Sequence, residues 1–273
     1  MNNSEEWDNW EIIKNIQEAI SYKQGEDFFS AIVLKISKTI DAEFTFVGEY
    51  NPKHNSVKTI SLCANGEIVP NFEYYLKGTP CAGVIDDSIC IYPRNVQSLF
   101  PEDTLLQEMG IEGYLGVPLY NSSHKILGIL VALYKKEIES IKIKQMLLEI
   151  FSGRTGAELE RIQTARELKS REEQLNSIIN NTNAVIYLKN LEGQYLLINN
   201  KWASLFHLKK ENIIGRTDDE LFTPEISENF KVNDREVIKT KNFVYVEEVA
   251  PVDGELKTYL SSKFPILDSN GEI

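Results

Sequence analysis

From about Ile138 to Ile179 the chain runs without a proline and, after Gly156, without a glycine. Apolar residues recur at helical spacing in its second half. Ala165, Leu168, Leu175 and Ile179 follow a three-four alternation that Glu172 interrupts. The pattern predicts one continuous helix. From Ala157 to Ile179 it would extend about 35 Å at roughly 1.5 Å per residue, more than two neighbouring domains need as a connection. So narrow a stripe cannot be buried by the helix alone and asks for a partner helix. A parallel, dimeric linker is the expectation; a solvated spacer is the alternative. The Glu167 to Arg171 pair suits either.

The helix divides 273 residues into two domain-sized pieces, each long enough to bury a core. With 42% hydrophobic and 26% charged residues, the composition is that of an ordinary globular protein. A net charge of −12 argues against nucleic acid or an anionic membrane as partner. The only adjacent basic residues are the pairs Lys135-Lys136 and Lys209-Lys210. No apolar run is long enough to span a bilayer, and the acidic MNNSEEWDNW start is unlike a signal peptide, so a cytoplasmic location is expected. Cys63, Cys81 and Cys90 are odd in number and lack C-x-x-C spacing. Reduced thiols fit them better than disulfides or a zinc site.

Residues 5–22 and 26–40 read as amphipathic helices, the second carrying Phe28, Phe29, Ile32, Val33, Ile36 and Ile40 on one face. Strands 43–50 and 56–64 form a hairpin, and a turn-rich segment runs from Asn65 to about Asp103. Strands 112–120 and 126–136 are apolar enough to lie centrally in a sheet. This order describes an antiparallel sheet with helices on one side. Gly78-Thr79-Pro80-Cys81, Phe100-Pro101-x-Asp103, Gly110-x-x-x-Tyr114-Leu115-Gly116-Val117-Pro118-Leu119 and Leu127-Gly128-Ile129-Leu130 resemble the GAF domains of bacterial sensor proteins.

That resemblance implies a small-molecule or chromophore pocket between the sheet and the irregular segment. Phe46, Tyr75, Thr79, Cys81, Ile91 and Tyr114 are its expected lining; core packing is the alternative for each. The Asp-Ile-Pro and Cys-His elements of bilin-binding GAF domains are absent, as is the Asn-Lys-x-Phe-Asp-Glu signature of cyclic-nucleotide GAF domains. A GAF-type methionine sulfoxide reductase using Cys81 and Cys90 is a remote alternative. Only Lys77 lies near to stabilise a thiolate, and Phe100-Pro101-Glu102-Asp103 replaces that family's His-Ile-x-Cys-Asp element.

The remainder predicts strands at 184–190 and 194–199, two short helices closed by Gly215, and a capping box from Thr217 to Glu220. A helix from Pro224 to about Lys241 and strands 243–252 and 255–267 around Asp253-Gly254 follow. Tyr187-x-Lys189-Asn190-x-x-Gly193-x-Tyr195-Leu196-x-x-Asn199, Gly215-x-Thr217-Asp218, Asn233-Asp234, Glu247-Glu248, Asp253-Gly254 and Lys263-Phe264-Pro265 resemble the PAS subfamily of bacterial histidine kinases and diguanylate cyclases. The expected pocket residues are Tyr187, Asn199, Trp202, Phe206, Phe222, Asn233, Val246 and Tyr259, with backbone satisfaction or core packing as the alternative. This half has no cysteine, which excludes covalent flavin chemistry through one.

The expected architecture is α+β, two sensory domains that are each an antiparallel sheet with helices. An N-terminal helix (1–24) precedes a GAF domain (25–155), a helical linker (156–178) and a PAS domain (179–273) lacking its last strand. The PAS resemblance implies a further strand after the turn at Asp268, so a fragment or a strand supplied from elsewhere is expected. The implied function is the non-catalytic input module of a bacterial signalling protein, foremost a sensor histidine kinase. It would bind a small ligand, relay it through a homodimeric linker, and act on an output domain beyond the C-terminus. Alternatives are a ligand-free dimerisation scaffold and the input of a diguanylate cyclase or phosphodiesterase. No metal site is expected, and the sequence leaves the ligand's identity open.

Overall fold

The computed structural model describes residues 24–273; the expected helix at 5–22 lies outside them. The chain separates between Leu168 and Lys169 into two compact units.

In the first unit, helix α1 (Gly25–Ile40) buries Phe28, Phe29, Ile32, Val33 and Ile36 along one stripe. It stops at Asp41, whose left-handed φ of 51° ends the helical path. Strands β1 (Phe44–Asn51), β2 (Ser56–Ala64), β3 (Glu67–Val69) and β4 (Glu73–Tyr75) follow. Short helix α2 (Cys81–Ile85), β5 (Cys90–Tyr92) and helices α3 (Val96–Leu99) and α4 (Thr104–Glu108) make up the irregular segment. Strands β6 (Gly113–Tyr120) and β7 (Ile126–Tyr134) complete the sheet. The order is β3-β2-β1-β7-β6-β5, with β4 also on β2, and every pair is antiparallel.

β6 and β7 are buried on both faces, hence their almost unbroken apolar runs. Alternate residues still part cleanly. Val47, Leu115, Val117, Leu130 and Ala132 join the core under α1 and the first half of the long helix α5 (Ile141–Asn181), which contributes Leu147, Leu148, Phe151 and Leu159. Phe46, Tyr114, Ile129, Val131 and Leu133 join a second core beneath the irregular segment. Gly156 lets α5 lie close on the sheet: a Cβ there would sit 2.5 Å from the Tyr120 carbonyl oxygen.

The long helix is continuous, as its sequence predicts, over 41 residues. Leu168, Leu175 and Ile178 stand 67%, 60% and 62% exposed, while Ile179 is half-buried. Ile178 therefore replaces Ile179 in the exposed stripe. No helix among the described residues is long and apolar enough to cross a membrane.

In the second unit, hairpin β8 (Tyr187–Lys189) and β9 (Tyr195–Ile198) leads into α6 (Asn200–Leu205), a 3-10 turn (Lys210–Asn212), α7 (Asp218–Leu221) and α8 (Pro224–Thr240). The Thr217/Glu220 capping box starts α7, and Pro224 opens α8. A second hairpin pairs β10 (Val244–Val252) with β11 (Glu255–Lys263). Among the described residues the two hairpins are separate two-stranded ladders rather than one sheet. Both units are α+β.

Candidate functional site

In the first domain a cavity of about 40 Å³ lies beneath the irregular segment. Strand alternation builds one wall: Tyr74 faces inward, whereas Tyr75, expected to line the pocket, is 73% exposed. The Thr79 hydroxyl donates to the Leu76 carbonyl at 2.8 Å, closing the turn that places buried Cys81 at the start of α2. The phenols of Tyr74 and Tyr114 both donate to Cys81 Sγ, at 3.1 and 3.2 Å. Phe46, Phe72 and Met109 add further wall, and Asp103, the N-cap of α4, contributes a carboxylate.

Of the expected residues the structure brings Phe46, Cys81 and Tyr114 together here. Thr79 is a buried structural neighbour. Ile91 packs on the opposite core, under the helices. Phe72, Tyr74, Asp103 and Met109 line the cavity without having been among the expected residues; the phase of the short strand, set by its pairing with β2, is what selects Tyr74 over Tyr75.

The cavity's electrostatics favour neutral forms of its own side chains. Burial pushes the Cys81 thiol up to about 11, against the smaller opposing effect of the two phenol hydrogen bonds. Burial, then the neighbouring Cys81, raises Tyr74 and Tyr114 as well. Cys81 is thus held as a thiol, poorly suited to nucleophilic attack. The space is about three times what one water requires, roughly 10–15 Å³, and far below the roughly 300 Å³ of a drug-sized site. It suits a very small guest.

The second domain is organised around a train of rings, Tyr187, Tyr195, Trp202, Phe206, Phe222 and Phe230, with successive centroids 4.6 to 5.7 Å apart. Tyr187, Trp202, Phe206 and Phe222 of the expected pocket stand in it. Fully buried Asn199 accepts from the Ile186 and Trp202 backbone N–H groups and donates to the Ile179 and Ala184 carbonyls. Both donors and its oxygen are thereby committed to backbone. Asn233 donates to Glu248 at 3.0 Å, Tyr259 packs near Phe230, and Val246 is half-buried on the inward face of β10.

Beside the rings lies a buried ionic network absent from the expected set. Lys189 pairs with Asp218 and, at 2.9 Å, with Asp234; Lys263 pairs with Asp234 at 2.7 Å and Glu248 at 2.6 Å. The Tyr195 hydroxyl donates to Asp218 at 2.7 Å. Burial alone would raise the Asp234 carboxyl, but Lys189 and then Lys263 outweigh it and hold it low. Burial likewise opposes charge on Lys263, yet Tyr187, Asp234 and Glu248 together hold its pKa high.

Residues 179–273 match the PAS fold family model. A diguanylate cyclase of Vibrio cholerae serotype O1 is 28% identical over 92 residues, 33% of this chain and 29% of that protein. The methanogenesis regulatory histidine kinase FilI of Methanothrix harundinacea is 22% identical over 108 residues, 40% of this chain and 12% of that protein. The chain thus spans less than a third of the length of either relative. Among solved structures, the GAF domain of an Acinetobacter phosphoenolpyruvate-protein phosphotransferase is 13% identical with a TM-score of 0.49, covering 61% of this chain and 99% of that one. Free methionine-R-sulfoxide reductase from Neisseria meningitidis is 9% identical with a TM-score of 0.48, covering 57% and 91%. The fold of the first domain rests on its own strand order and helix placement.

Proposed function

We propose, from the premise that residues 179–273 are a PAS domain, that the chain is the sensory input module of a signalling protein. The first domain takes up a small ligand in the cavity at Cys81, and α5 carries the response to an output that is a histidine kinase or a diguanylate cyclase. The names of the two sequence relatives support those output classes.

The observation that carries the relay is the exposed stripe Leu168, Leu175 and Ile178 in the charge-rich second half of α5. Leu168 and Leu175 are one heptad apart, and Ile178 follows three residues later, the spacing of a two-stranded seam. Leaving three large apolar side chains in water is unfavourable by roughly 1.5 kcal/mol or more each. A second copy of the helix covers them. Ligand control follows if two packings of the pair differ little in energy and the ligand prefers one.

Native mass spectrometry of the purified chain and of the Leu175→Glu/Ile178→Glu variant tests this. The wild type should be a dimer carrying a reproducible extra mass, and the variant a monomer that retains that mass. A wild type that stays monomeric at tens of micromolar refutes the paired relay; a dimer that acquires no small molecule under any condition favours a scaffold.

A further inference from the structure

We propose that the first-domain cavity takes a small organic cation, a protonated alkylamine. The inference rests on the reading of that cavity as a small-molecule site and names the ligand's class. Phe46, Phe72, Tyr74 and Tyr114 supply four aromatic rings. Phe46 meets Tyr74 edge-on with centroids 6.3 Å apart, and Phe72 is tilted against Tyr74 at 5.7 Å. Aromatic faces carry negative potential and attract ammonium groups, most strongly where water is excluded.

Asp103 gives this apolar box its one charge. Among the described residues no Lys, Arg or His lines the cavity and no ion pair includes Asp103. Its partner is the Leu106 backbone N–H at the start of α4. Burial pushes the Asp103 carboxyl up, against the opposing backbone hydrogen bonds, as expected of a carboxylate short of counter-charge. An ammonium group would supply that charge. The Tyr74 and Tyr114 oxygens, whose protons point to Cys81, keep lone pairs able to accept an N–H. An anion would instead meet a carboxylate with no cation beside it. The volume, about 40 Å³, matches a ligand of two or three heavy atoms. The net charge of −12 raises the local concentration of any cation.

Met109 lines the same cavity, and its ¹³C-labelled methyl group is a local NMR reporter; exposed Met146 serves as control. The chain is titrated at constant ionic strength with ethylammonium, ethanol and acetate, three probes of similar size and different charge. Ethylammonium should shift Met109 saturably in the millimolar range that so small a ligand can reach. Ethanol and acetate should bind at least about tenfold more weakly. Asp103→Asn keeps a good helix cap while removing the charge, and should weaken ethylammonium about tenfold without changing ethanol. Ethanol and ethylammonium moving Met109 equally, in both wild type and Asp103→Asn, would overturn the cation inference and leave a small-molecule cavity standing. Met109 unmoved by all three probes would overturn the inference and the cavity reading together.

Discussion

Replacing Lys263 by Met should destabilise the second domain by about 3–5 kcal/mol, the range for removing one partner from a buried ion pair. Lys263 has a side chain only 8% exposed, and its ammonium sits 2.7 Å from Asp234 and 2.6 Å from Glu248, itself 5% exposed. Three carboxylates, those of Asp218, Asp234 and Glu248, share two ammonium groups, so the network carries a net charge of −1. Methionine preserves the apolar stem and takes the cluster to −2. Equilibrium urea unfolding followed by the fluorescence of buried Trp202, in a Trp7→Phe/Trp10→Phe background, measures the loss. Adding Glu248→Gln should recover part of it, because the orphaned charge disappears. The depressed Asp234 value contributes stability above the unfolded carboxylate range, lost as pH falls through the lower folded value. The gap between wild type and variant should therefore narrow in acid. A loss below about 1 kcal/mol, the size of a solvated surface pair, would show that water reaches these charges and would refute the argument.

Gly156→Ala should lower the melting temperature of the first domain. Alanine normally gains about 1 kcal/mol over glycine within a helix, but here its Cβ would lie 2.5 Å from the Tyr120 carbonyl oxygen, and overpacking costs roughly 1–3 kcal/mol; a raised melting temperature would deny the close helix–sheet contact. Cys81 should resist iodoacetamide at pH 8. The rise from 9.0 to about 11 alone reduces its thiolate fraction roughly a hundredfold, before burial is counted. Alkylation mapped by peptide mass spectrometry at the rate of an unfolded control would contradict the buried Tyr–Cys–Tyr arrangement.

Periodicity made much of the first domain legible. Phe28, Phe29, Ile32, Val33 and Ile36 announced the buried face of α1, and the unbroken apolar run Gly113–Tyr120 announced a strand covered on both sides. The cavity was only half legible for the same reason. In a strand a shift of one residue exchanges inside for outside, so choosing Tyr75 over Tyr74 put the expected wall into solvent. Residue type could not arbitrate between two adjacent tyrosines; pairing could, since Tyr74 lies opposite buried Val57 on β2.

The second domain shows where periodicity stops short. Aromatic residues signalled burial, and Tyr187, Trp202, Phe206 and Phe222 did fall into one train. Lys189, Asp218, Glu248 and Lys263 stood in the PAS-like motif but outside the expected pocket, although strand alternation places Lys189 on the face of Tyr187 and Lys263 on that of Tyr259. Their burial is offset by partners far along the chain, Lys189 with Asp218 and Asp234, and Lys263 with Asp234 and Glu248. No local pattern encodes such pairs. Asn199 makes the complementary case: its type suggested a ligand contact, yet it caps α6 and holds the Ile179 carbonyl near the end of α5. A polar residue at an inward position therefore marks a place where the fold must satisfy it. Whether it serves a guest depends on what remains unpaired, and by that measure Asp103, short of a counter-charge, outranks every fully partnered group in the ionic network.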